Sequence, residues 1–324
     1  MGISYATPYR PPQPAVSPWT RARMTWTAKG VTWPLTTPAS GVFLMPGVRG
    51  LGSISSERHS TSSPAVAGSR FEGVSVHDRG VFWPVHLFHD AGSEAWVELD
   101  RAFWQGMDPE DTGVWEILHP DGSRRSLRLR FQDDGDHTTT FDPVRYGWQT
   151  YGINLIAEQP FWEGDPVVRS WKNPVYAPFF EPNGPHLFNI GSGADVSTAA
   201  IDNPGDVESY ARWFIDGETT DASVGVDGLV ARVPFPVPAG KCLVIDSDPA
   251  RIGAIMYDVV PGAPSKPSER VIGVDMVNPV DRTPDLGEAD FPPIPAGAMV
   301  ALSLSLAGAG EVEALLPTLY RRPW

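Results

Sequence analysis

From Met24 onward, apolar residues recur mostly at every second position, in short runs separated by Gly, Pro, Asn and Asp. A period of two puts neighbouring side chains on opposite faces of a pleated ribbon, so each run reads as a β-strand with one face toward a core. The clearest runs are 80–88, where Val81, Trp83, Val85 and Leu87 share a face, and 151–157, with Tyr151, Ile153, Leu155 and Ala157. Phe82 and Phe88 lie on the other side of the first run, so burial on both faces is expected there. The second run should lose its ladder by Gln159, because Pro160 has no N–H to donate and Gly164 with Pro166 turns the chain. Phe161 and Trp162 are then expected to plug the end of the sheet. Residues 114–131 read as two strands joined by a turn at Pro120–Asp121–Gly122.

One stretch has another period. In residues 94–105, Trp96, Leu99 and Phe103 recur at helical spacing, Glu94 lies in the first turn, Ser93 is placed to cap and Gly106 to terminate. Beyond Trp171, a Pro- and Asn-rich stretch precedes a half that is nearly all strand and turn, with Pro-Ala-Gly turns at 238–240 and 295–297 each introducing an apolar strand. The expected organisation is a proline-rich arm at 1–23, a domain at 24–175 and a β-domain at 176–324, with a long surface loop at 261–288. The fold class is mainly β with one substantial helix.

Composition narrows the function. Gly 32 and Pro 34 fit a protein of many turns. The net charge is −14, with four lysines against 21 arginines. Arg124, Arg125, Arg128 and Arg130 make the largest basic cluster and alternate with Leu127, Leu129 and Phe131, the pattern of a solvated sheet face; specific nucleic-acid binding is not expected. The single Cys242 excludes an intramolecular disulfide and reads as a buried apolar residue, consistent with folding in a reducing cytosol. No run is long and apolar enough to insert in a membrane, and prolines at 8, 11, 12, 14 and 18 interrupt the N-terminus.

Catalytic signatures are missing: no GxSxG, GxGxxG, GxxxxGK[ST], HExxH or CxxC occurs. No catalytic residue, cofactor or metal is therefore assigned, although three constellations come close. His86 and His89 have metal-ligand spacing on a helix, but on a strand they point to opposite faces. Asp133, Asp134, Asp136 and His137 resemble a calcium loop without its distal glutamate, and read as a hairpin turn. Trp104, Trp115, Trp148, Trp162 and Trp171 could form a sugar-stacking platform, or be core anchors.

The order of elements resembles a known family. A β-rich first part with one helix, GVWEILHPDGSRRSLRLRF, a strand running into AEQPFW, then FNIGSGADVSTAAIDNPGDVESYARWFIDG and VPAGKCLVIDSDP, is similar to the distal tail proteins, or minor tail proteins, of bacteriophages with long non-contractile tails. The likeness covers about residues 24 to 320, and Asn203-Pro204-Gly205-Asp206 belongs to it. It implies an N-terminal domain of β-sandwich or split-barrel type and a C-terminal galectin-like β-sandwich. It also implies a virion structural protein assembled in the host cytoplasm: a homo-hexameric ring in the tail tip or baseplate, bound to the tail tube protein above and tail hub or tip proteins below. DNA would pass through without specific binding. No enzymatic activity comes with the resemblance; a weak host glycan contact is left open. The alternative is a β-sandwich that binds or cleaves host cell-wall glycan, using tryptophans such as Trp162 and Trp213 beside paired carboxylates.

Overall fold

The computed structural model describes residues 21–65, 67–135, 139, 141–172 and 199–324. The proline-rich arm, apart from Arg21–Arg23, lies outside these residues, as do the expected boundary near 175 and the calcium-loop candidates Asp136 and His137.

The first sheet is built from β1 (Arg23–Ala28), β2 (Val31–Pro34), β3 (Val42–Leu44), β6 (Arg79–Phe88), β7 (Thr112–Leu118), β8 (Arg124–Asp133), β9 (Trp148–Ala157) and β10 (Trp162–Glu163). Its main path runs β2-β1-β7-β8-β9-β6-β3, every pair antiparallel. The two runs that stood out in the sequence, β6 and β9, pair over ten positions, from Arg79 opposite Ala157 to Phe88 opposite Trp148. Between β3 and β6 lies a separate hairpin, β4 (Ser56–Thr61) and β5 (Arg70–Val76).

Helix α1 (Ser93–Trp104) packs Phe103 into this core and flanks it with Leu99. Its start corrects one expectation. Gly92, at φ 121°, takes the N-cap position, while the Ser93 hydroxyl donates to the Val144 carbonyl at 2.7 Å and ties α1 to the short helix α2 (Pro143–Tyr146). Trp26, Trp83, Trp115 and Trp162 form a line through the core with successive ring centroids 5.2, 5.2 and 5.0 Å apart. Burial of β6 on both faces is not what is found: Phe82, Pro84, His86 and Phe88 on its outer face are only half-buried.

The second core is a β-sandwich. One sheet has the order β11 (Val167–Lys172), β21 (Glu311–Leu316), β13 (Arg212–Asp216), β16 (Lys241–Asp246), β17 (Gly253–Val259), β18 (Met276–Asp281). Facing it are β15 (Leu229–Val233), β14 (Thr219–Val226) and β20 (Ser305–Gly308), with the pair β12 (Ala200–Asp202) and β19 (Met299–Ala301). Their inner faces bury Trp171, Trp213, Ile215, Val224, Leu243, Ile245 and Val312, among others.

Residues 261–288 are not entirely loop. Val277 and Val280 of β18 take up register with β17 because Asp258 and Met256 offer a free edge, and Met276 is fully buried. Met276 packs on the outer face of the six-stranded sheet with Phe214, Cys242, Val244 and Tyr257, and the preceding turn Pro267–Glu269 lies against β13 and β21. It is latched there: Arg270 makes a bidentate pair with Asp216 at 2.8 Å to both oxygens, and the Ser268 N–H donates to buried Glu313 at 2.6 Å.

The chain ends by returning to the first sheet. Strand β22 (Leu319–Tyr320) pairs with β10, matching Tyr320 to Trp162 and Leu319 to Glu163. Buried Asn203 donates to the carbonyls of Val207 and Ile294 and accepts from the Gly205 N–H, shaping the tight Asn203–Asp206 turn. Gly205 is required in it, because a Cβ there would stand 2.6 Å from the Leu319 carbonyl. Asp206 then grips the returning chain from both sides, its N–H on the Leu319 carbonyl and its carboxylate on the Arg321 N–H at 2.7 Å.

Candidate assembly surfaces

Three surfaces stand out. Hairpin β4–β5 has almost no buried residue, and among the described residues its strands pair only with each other. Phe71, Val74 and Val76 are 55%, 52% and 45% exposed. A lone two-stranded ribbon is marginal in water, and apolar side chains of this size on it ask for cover. Ser, Thr and Gly dilute the periodicity of this hairpin, and its signal in the sequence is Val74 and Val76 at a two-residue interval.

Between the two cores runs a cleft of about 1590 Å3, bordered by the hairpin through Val74 and Val76, by Phe161, and by Tyr210 and Arg251 of the sandwich. Three of its carboxylates are held in close ion pairs. Glu158 pairs with Arg130 at 2.7 Å, Asp246 with Arg212 at 2.7 Å and Asp248 with Arg251 at 2.9 Å. The guanidinium of Arg130 holds the Glu158 carboxyl below its ordinary value.

The third surface is a groove of about 350 Å3 on the outer face of the first sheet, lined by His86, Phe88, His89, Asp90, Tyr146 and Trp148. His86 and His89 therefore face one hollow and not opposite ones, because β6 ends at Phe88 and its alternation stops there. Desolvation lowers the His86 pKa, and its Nδ1 is 2.8 Å from Thr150 Oγ1. Among the described residues, no group of three or more His, Cys, Asp or Glu could hold a metal. Asp133 serves its own turn, accepting from Asn154 at 2.7 Å and from the Gly135 N–H at 3.0 Å.

The tryptophan platform is not assembled. Trp115, Trp162, Trp171 and Trp213 are buried, the first two in one core and the others in the second; Trp104 is half-buried and only Trp148 of the candidate set is exposed. Trp213 instead donates its indole N–H to Ser247 at 3.1 Å. Phe161 and Trp162 part company at the sheet end, Trp162 filling the core and Phe161 bordering the cleft. Cys242 is fully buried and burial pushes its thiol up to about 12, so it is an inert core residue. Arg124 and Arg128 stand on a solvated face opposite Glu116 and Glu163. No helix among the described residues is long and apolar enough to cross a membrane.

Neither a family model nor a curated protein sequence matches the chain. Solved structures do. The fold is that of the phage distal tail proteins: the SPP1 Dit protein (gp 19.1), described as a paradigm of the hub adsorption apparatus in phages infecting Gram-positive bacteria, superposes with a TM-score of 0.57 at 12% identity, over 90% of this chain and 98% of that one. The phage P2 baseplate in its activated conformation contains a similar chain, with a TM-score of 0.54 and 12% identity in both the calcium and strontium forms; the likeness covers 92% and 91% of this chain and 98% of each of those.

Proposed function

We propose that this chain is a structural, non-enzymatic protein of a phage tail tip, forming a closed homo-hexameric ring that joins the tail tube to the hub and adsorption apparatus and leaves a channel for DNA. The supporting observation is the fold likeness to the Dit protein, which runs through both cores and leaves almost none of that chain unmatched. One feature of the chain favours assembly independently. The hairpin β4–β5 presents Phe71, Val74 and Val76 without cover, and a ring supplies each copy with a neighbour to cover them. The net charge of −14 suits a channel that must not hold a polyanion.

In this reading the first core and its hairpin make the ring, the division from the sandwich falls at the Gly164–Pro166 turn, and the sandwich projects outward. Electron microscopy and mass measurement of the purified full chain and of virions test it. Closed six-membered rings, and the chain at the tail tip, are expected; a monomer under all conditions, absent from virions, overturns it.

A further inference from the structure

We propose that the aromatic groove beside Trp148 seats the proline-rich segment Pro8–Pro14 of this same polypeptide. The groove is a preformed object. Its floor is set by Gly147 at φ 71°, where a Cβ would stand 2.7 Å from the His89 carbonyl oxygen, while the His89 N–H donates to the Gly147 carbonyl at 2.8 Å. Its walls are rings: His86 lies 5.5 Å from Trp148 and 6.1 Å from Phe88, and Phe141 buttresses Trp148 from behind at 4.4 Å. Tyr146 and Trp148 remain 57% and 38% exposed.

The occupant follows from the chemistry. Residues 8–14, PYRPPQP, contain two overlapping Pro-x-x-Pro units, Pro8 to Pro11 and Pro11 to Pro14. Proline fixes φ, so such a segment approaches the extended left-handed helix before binding and loses little entropy on docking between aromatic rings. Arg10 supplies a cation, and exposed Asp90 at the groove's rim forms no ion pair with any described residue. Reach is sufficient: Pro14 and Pro8 lie seven and thirteen residues before Arg21, or roughly 20–40 Å at about 3.1 Å per residue. Arg21 itself bonds the Thr36 carbonyl, a few residues before Gly41, whose carbonyl accepts from Phe88 in the groove wall.

A saccharide fits less well: it needs several free donors and acceptors, but the Nδ1 atoms of His86 and His89 are engaged by Thr150 and by the Ala91 N–H.

Limited chymotrypsin digestion of the full chain tests the proposal by the rate of cleavage after Tyr9. In the wild type slow cleavage is expected; Tyr146→Ala with Trp148→Ala should raise the rate about tenfold, the loss of roughly 1.4 kcal/mol of docking energy, and Asp90→Asn about two- to threefold. Both aromatic side chains are exposed, so an unchanged melting temperature is expected to accompany the faster cleavage. As a second measurement, Pro11→Gly with Pro14→Gly should shift the Trp148 indole resonance with the groove residues untouched. Equal cleavage rates in folded wild type and double variant, or a Trp148 signal indifferent to the arm variant, overturn the proposal, as does protection that only an added wall saccharide or a second copy lacking the arm confers.

Discussion

Arg79 is 3% exposed and has no carboxylate partner among the described residues; its guanidinium donates instead to four carbonyls, Pro160 at 2.6 Å, Gly50 at 2.7 Å, Gly52 at 2.8 Å and Arg321 at 2.8 Å. Burial pulls its pKa down to about 10, so it stays charged at neutral pH. Arg79→Met keeps the aliphatic stem and strands the acceptors, and should cost about 3 kcal/mol, a fall in melting temperature of roughly 5–10 °C by calorimetry. Nothing in the sequence marks this residue, since its partners are backbone carbonyls up to 242 positions away. The tryptophans show the opposite limit. Their residue type is legible and their depth is not, because a strand's alternation says which side chains share a face but leaves open which face meets the core. Trp162→Ala should therefore cost about 3–5 kcal/mol, whereas Trp148→Ala, on the exposed face, should cost less than about 1 kcal/mol; chemical denaturation separates the two.

Among elements, those with a strong period were legible: β6, β9, the β7–β8 hairpin with its turn at Asp121, and α1 within one residue at each end. Those held by partners in distant sequence were not. Strand β18 exists because β17 offers an edge and the Arg270–Asp216 pair brings the preceding segment down onto the sheet, neither of which local propensity records. Hairpin β4–β5 was missed because it buries nothing within the chain, and period reading detects burial. The same fact yields a prediction. Replacing Glu57–Ser75 by a short Gly-Ser linker removes no core contact, so the melting temperature of the remaining protein should stay within about 2 °C of wild type. Ring formation should be abolished, as read by light scattering. Phe71→Asp with Val74→Asp should do the same with the backbone intact, since two desolvated charges oppose a covered surface. Rings that survive both changes would place the contact elsewhere.

At the scale of the whole molecule, two long-range properties were beyond the sequence: the collective titration of the surface and the closure of the C-terminus. Asp108, Asp121, Asp133, Glu158, Asp258 and Asp281 are all held below their ordinary values, chiefly by bonds from Lys29, Ser123, Asn154, Arg130, Lys241 and Thr283 respectively. A depressed carboxyl contributes stability above its unfolded pKa and loses it as pH falls through the folded value. The melting temperature should thus be insensitive to these groups from neutrality to about pH 5 and decline steadily below about pH 4; Asp258→Asn should flatten part of that decline.

Closure carries the last prediction. Strand β22, the Arg79–Arg321 bond, Arg125 stacked 3.6 Å over Tyr320 and His119 2.8 Å from the Pro323 carbonyl all attach a segment after residue 317 to the first core, while the Asp206 grip holds the same segment to the sandwich. Upstream, the direct covalent link between the cores is the short Gly164–Pro166 turn. Two connections at one place resist rotation, where a single turn permits it. Ending the chain after Pro317 leaves both hydrophobic cores with their buried residues, apart from Tyr320 at the margin of the first. Each core should therefore still fold, but the coupling between them should weaken: calorimetry should resolve two transitions in place of one, and small-angle scattering should show a larger radius of gyration. Retention of a single transition with unchanged dimensions would mean that the cleft contacts alone hold the two cores together. If the tail-tip reading is right, the truncated chain should still form rings, since the hairpin and the β2-β1-β7-β8-β9-β6-β3 path of the first sheet are kept, but the sandwiches should blur in averaged images because each is free to swing.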